Sequence, residues 1–187
     1  VVGFLQDVTL LMPFGSLHGV AAGARVEPCP LADRMPNAIE LLGRVVDPFG
    51  IPIDDKGPVH WGEGESLHAR APHPLERKPI RQILDTGIRS LNAFLTCGVG
   101  QRFGIFAGAG VGKSTLLGML AKHVRCDAVV IGLSGERGRE VREFLEKSLG
   151  ESQSRCACIV ATSDTSPVLR VRAVHSATAV AEGLRRR

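Results

Sequence analysis

Between Gln101 and Leu117 the chain reads QRFGIFAGAGVGKSTLL, residue types that suit the binding of a phosphate chain. Gly108, Gly110 and Gly112 release the backbone from the limits a side chain imposes, so the loop can curl with its N–H groups turned inward. Lys113, Ser114 and Thr115 then open a helix, whose N-terminal partial positive charge favours an anion. The run Gly108, Ala109, Gly110, Val111, Gly112 and on through Thr115 is therefore expected to cradle nucleotide phosphates. Lys113 would reach the β- and γ-phosphates, and the Ser114 hydroxyl would ligate Mg²⁺. The strict motif asks for Gly six residues before the lysine, where this chain has Ala107. The apolar run Phe103, Ile105, Phe106 before the loop, read as a short buried strand, supplies the missing context.

Binding phosphate hydrolyses nothing by itself. The turn Ser134-Gly135-Glu136-Arg137-Gly138 follows an apolar run ending at Leu133, which places Glu136 at the same sheet edge as Lys113. A carboxylate there can orient a water in line with the γ-phosphate, while Arg137 helps neutralise the transferring group. Out of context, Glu-Arg-Gly-Arg-Glu reads equally well as a solvated charge run.

These groups need a frame, and the chain past residue 101 alternates strand and helix patterns. A helix from Ser114 to Val124 is apolar on most faces and expected to be buried; Asp127 to Leu133 reads as a parallel strand covered on both sides. A helix follows from about Gly138 to Leu149, with Gly150 suited to its C-terminal cap. Cys156 to Ala161 is a further strand, and Ser166 with Pro167 starts a helix running to the end of the chain. The order implies a doubly wound parallel α/β sheet with its cradle at the strand C-termini. Residues 1–56 instead read as short strands, including Leu41 to Val46, of part of a small antiparallel barrel. Residues 57–82 read as a linker, and 83–187 as a partial phosphate-binding domain entered through a short strand and a helix.

Composition excludes several classes. Hydrophobic residues are 44% and charged residues 22% of 187, as in an ordinary globular protein, and no apolar run approaches a membrane span. VVGFLQDVTLL lacks the basic n-region and cleavage site of a secretory signal. Arg185, Arg186 and Arg187 supply three units of basic charge in a net +4, and aromatics are only 4%, so nothing resembles a nucleic-acid surface. Five cysteines without C-x-x-C spacing read as reduced thiols, Cys156 and Cys158 sharing one strand face. Six scattered histidines form no metal pair.

The stretch TGIRSLNAFLTCGVGQRFGIFAGAGVGKSTLLGMLAKHVRCDAVVIGLSGERGREVREFLEK (86–147) resembles the catalytic ATPases of type III secretion systems and of flagellar export, relatives of the catalytic subunit of rotary ATP synthases. GRVVDPFGIPID (43–54) is similar to the family's segment at the end of the N-terminal barrel, and ATSDTSPVLRVRAVHSATAVAE (161–182) to its following strand and helix. The resemblance implies a P-loop, RecA-like domain that binds ATP with Mg²⁺ and acts as a homohexamer at the cytoplasmic face of the inner membrane. Its implied partners are stalk and gate proteins of the export apparatus, secretion chaperones and their substrates, with no nucleic acid. Lys113 and Ser114 carry over as phosphate and Mg²⁺ ligands, Glu136 as the catalytic carboxylate and Arg137 as a phosphate contact.

Two departures stand out: Ser134 replaces an apolar residue of the family, and Gly183 to Arg187 differs from its continuation. The resemblance also implies that this sequence is a fragment, without the strand bearing the Mg²⁺-holding Asp, and that alone it would hydrolyse ATP poorly. The other readings are a non-catalytic or truncated nucleotide-binding subunit of a rotary-type ATPase, and a nucleic-acid translocase on the same core.

Overall fold

The computed structural model describes residues 1–29, 33–108 and 110–187. Its strands are β1 (Gly3–Leu5), β2 (Val8–Leu10), β3 (Arg34–Met35), β4 (Val45–Val46), β5 (Glu65–Ser66), β6 (Ile83–Leu84), β7 (Cys97–Gly98), β8 (Val129–Ser134) and β9 (Cys156–Ala161). Its α-helices are α1 (Arg89–Phe94), α2 (Lys113–His123), α3 (Gly138–Glu143) and α4 (Pro167–Arg185). The central sheet is parallel, in the order β4-β9-β8, with Val45 opposite Cys158 and Val129 to Ser134 opposite Cys156 to Ala161.

All six residues of β9 are buried, and their alternation divides the core. Ala157, Ile159 and Ala161 face α4 together with Val46, Met35 and Val180. Cys156, Cys158 and Val160 face the other way, toward Ala121 of α2, Val141 of α3 and Phe144. Helices thus cover both faces of a parallel sheet, the architecture the alternation of elements predicted. Gly132 lets α4 approach β8 closely, since a β-carbon there would stand 3.1 Å from Ala177 Cβ. Ser166 caps α4 by accepting from the Leu169 N–H at 3.4 Å, with Pro167 at its first position. The helix starting at Gly138 runs to Glu143 and continues as a π-turn over Phe144–Leu149, ending at Gly150 as expected. No helix among the described residues is long and apolar enough to cross a membrane.

Three expectations are corrected. Residues 101–108 form no strand: Phe103 is 45% and Phe106 96% exposed, because a strand exists only through an edge to pair with and this segment meets none among the described residues. The strand expected over Leu41–Val46 is a 3₁₀ turn, Ala38–Leu41, followed by β4, whose two buried valines join the parallel sheet beside β9. Residues 1–56 also carry β1 and β2, an exposed antiparallel hairpin with no further strand paired to it among the described residues. Finally, α2 buries only Gly118 and Ala121, leaving Leu117 and Met119 exposed, since no element among the described residues covers its outer face.

Candidate functional site

The phosphate loop enters α2 through Gly112, which stands at the helix N-cap with φ +96°, a left-handed conformation that only glycine adopts without strain. Among the described residues no side chain caps this terminus and no acidic residue sits in its first turn, so the first-turn N–H groups stay available to an anion. Lys113, Ser114 and Thr115 are exposed at the mouth of a cleft of about 1180 Å³. Among the described residues the Lys113 ammonium has no ion-pair partner.

The opposite wall comes from the sheet. Ser134 and Ala161 end β8 and β9 in register, so the turns after both strands emerge at one edge. The Gly135 N–H donates to the Ala161 carbonyl at 2.8 Å, and the Ser163 N–H donates to the Glu136 carbonyl at 2.9 Å. These bonds fix the Glu136 backbone and leave its half-buried side chain to line the cleft with Gly135, Arg137 and Ser163. Ser134, the departure from the family pattern, adds a tie: its hydroxyl donates to the Arg170 carbonyl at 2.9 Å, docking the turn on the first turns of α4. Arg137 is exposed and its Nη1 is 3.3 Å from Glu140 in the first turn of α3. Such a surface pair is worth at most about 1 kcal/mol, so an incoming phosphate can displace Glu140.

Of the residues singled out from sequence, Gly108, Gly110, Gly112, Lys113, Ser114, Thr115, Glu136 and Arg137 line one cleft. Val111 is exposed but not part of that lining, and Ala109 lies outside the described residues. The sequence reading missed Ser163 and Arg170, which hold the Glu136 turn. Both contribute backbone groups, the Ser163 amide and the Arg170 carbonyl that takes the Ser134 hydroxyl, so their residue types signal neither bond. Arg170 is also notable for a buried Nε that has no hydrogen-bond partner among the described residues. The cleft is thus lined both by a helix start open to an anion and by a carboxylate.

Comparison with known proteins gives the family of the chain. The chain is 47% identical to the flagellum-specific ATP synthase of Pseudomonas aeruginosa over 186 residues, 99% of this chain and 41% of the relative. It therefore spans about two fifths of the length of the curated relatives it matches. Among solved structures, it is similar to a prototypical ATPase from the type III secretion system of pathogenic bacteria, with TM-score 0.74 and 42% identity over 82% of this chain and 44% of that one. It is also similar to the assembled ATPase EscN of enteropathogenic E. coli in complex with its central stalk EscO, with TM-score 0.73 and 45% identity over 81% of this chain and 37% of that one. Residues 87–187, more than half of the chain, match the nucleotide-binding domain model of the ATP synthase alpha/beta family, and the chain belongs to that family.

Proposed function

We propose that this chain is the nucleotide-binding part of an ATPase that energises protein export of the type III or flagellar kind, releasing chaperones and unfolding substrates at the export gate. The observation that carries the reading is one cleft lined both by the Lys113–Thr115 helix start and by Glu136. Lys113 binds the β- and γ-phosphates, and the first-turn amides of α2 hold them in place. Glu136 orients the attacking water and accepts its proton, while Arg137 leaves Glu140 to offset charge on the transferring group. A Mg²⁺ ion would supply charge neutralisation between the phosphate oxygens. Among the described residues no group of His, Cys, Asp and Glu could hold a metal alone. That fits Mg²⁺, which takes one or two protein ligands plus substrate phosphates, with Ser114 as the ligand here.

The same reading has the intact protein working as a homohexamer at the cytoplasmic face of the inner membrane, with a stalk and a gate protein as partners; similarity to EscN, solved assembled with its stalk, supports it. Residues 1–56 would be the end of an N-terminal barrel that lends β4 to the sheet, with 57–82 the linker and 83–187 part of the P-loop domain. The test is Glu136→Gln in the intact protein. It should keep ATP affinity and lose at least about 100-fold in turnover, the usual contribution of a general base. Unchanged turnover would exclude Glu136 as the catalytic carboxylate and favour a non-catalytic nucleotide-binding subunit.

A further inference from the structure

The N-terminus of α2 carries the proposed phosphate-binding groups, yet its first turn is exposed, and the helix buries only Gly118 and Ala121, in its second half. Its C-terminal carbonyls converge instead on one distant side chain. Arg155 Nη2 donates to the carbonyls of Ala121 at 2.7 Å, Lys122 at 3.1 Å and Val124 at 3.2 Å. Its Nη1 donates to Val124 at 3.2 Å and Cys126 at 3.0 Å. A helix leaves its last carbonyls without internal partners and concentrates negative partial charge there, so a guanidinium fork satisfies both at once. Arg155 is anchored in turn, because the next residue, Cys156, begins the fully buried β9. At its other end β9 leads into Ser163, which holds Glu136.

We propose that Arg155 is a positioning residue: it pins the far end of α2 to the root of β9 and so sets where Lys113, Ser114 and Thr115 stand relative to Glu136. This rests on the nucleotide reading above. Eleven residues at about 1.5 Å each give a helix about 16 Å long, so a tilt of about 4° at the anchored end moves the first turn by about 1 Å, a misplacement that costs on the order of 100-fold in rate. Lysine is a poor substitute, since its compact ammonium cannot span carbonyls that a planar fork reaches together.

The experiment compares Arg155→Gln and Arg155→Lys with wild type in the intact protein. It measures MgADP affinity with a fluorescent ADP analogue, kcat and KM for ATP, and hydrogen exchange along α2, all below each variant's melting temperature. Arg155→Gln should weaken MgADP at least tenfold, lower kcat at least tenfold at saturating ATP, and speed exchange at Leu116 and Leu117, with Arg155→Lys intermediate. Affinity and kcat within twofold of wild type in Arg155→Gln would overturn the proposal, whatever the loss of melting temperature. Should Arg155→Gln not fold, the same twofold criterion applies to Arg155→Lys. A wild-type protein that binds no MgADP would refute the nucleotide reading instead, and exchange then decides for Arg155: unchanged protection at the start of α2 overturns its positioning role.

Discussion

On α2, a β-carbon at Gly118 would stand 2.7 Å from Cβ of Ser148, in the π-turn that packs against the helix. Comfortable carbon contacts lie at about 3.5–4.0 Å, so Gly118→Ala forces helix and turn apart by about 1 Å. Overpacking of this size costs about 1–3 kcal/mol, while alanine returns about 1 kcal/mol of helix propensity. The net is a destabilisation of about 1 kcal/mol. In a Ser148→Gly background the obstructing atom is gone, and the next, Ser148 Cα, lies at 3.4 Å. Only the propensity gain remains there, so the same substitution should stabilise by nearly 1 kcal/mol, a coupling of about 2 kcal/mol. Urea unfolding of the four proteins, with equal m-values, measures the cycle. Nucleotide affinity should fall in Gly118→Ala and return in the double variant, because α2 carries Lys113. An effect of Gly118→Ala that is the same in both backgrounds would refute the close seating of α2 on this turn.

Asp54 accepts from Arg44 Nε and Nη2, both at 2.9 Å, and from the Val45 N–H at 2.9 Å, fastening the turn after β4 to its strand. Burial alone would raise its pKa, but the Arg44 hydrogen bonds and the Val45 and Lys56 amides outweigh it and hold the carboxyl well below the usual carboxylate range. Its stability contribution is therefore complete above the ordinary pKa of about 4 and is lost as pH falls toward the folded value. Asp54→Asn should cost about 1–3 kcal/mol at neutral pH, as for lost hydrogen bonds to a charged group in a half-buried site, and flatten the acid limb of an unfolding titration; an unchanged limb would refute the assignment. Thiol chemistry offers a second check. Cys29 and Cys126 are exposed, whereas Cys97, Cys156 and Cys158 are buried, and burial followed by the neighbouring Cys156 pushes the Cys158 thiol up to about 12. Alkylation at pH 8 followed by peptide mass spectrometry should label Cys29 and Cys126 in the folded protein and the other three only after unfolding; early label on Cys158 would contradict the buried β9.

Much of the site was legible because its signals are local. Glycines that tolerate positive φ, a lysine and hydroxyl at a helix start, and a Ser-Pro cap each act within a few residues, and Gly112 and Ser166 stand where those rules put them. The buried run Cys156–Ala161 was equally plain, since its apolar residues have no polar face to present. Glu136 was readable as a candidate because a strand precedes it and, more strongly, because its turn resembles that of the family. The Ser163 amide and the Ser134 hydroxyl that fasten its turn were not, because both bonds join segments 27 or more residues apart.

What the sequence determined by itself, then, is which residues are candidates for holding a phosphate and where helices and buried strands begin, since these depend on side-chain type and short spacing. Tertiary structure alone decided that Val45–Val46 joins the parallel sheet, that Phe103 and Ile105 find no strand partner among the described residues, and that the carbonyls at the end of α2 converge on Arg155. Each of these is a pairing between distant segments, and a hydrogen bond or packed face exists only when its partner is in place.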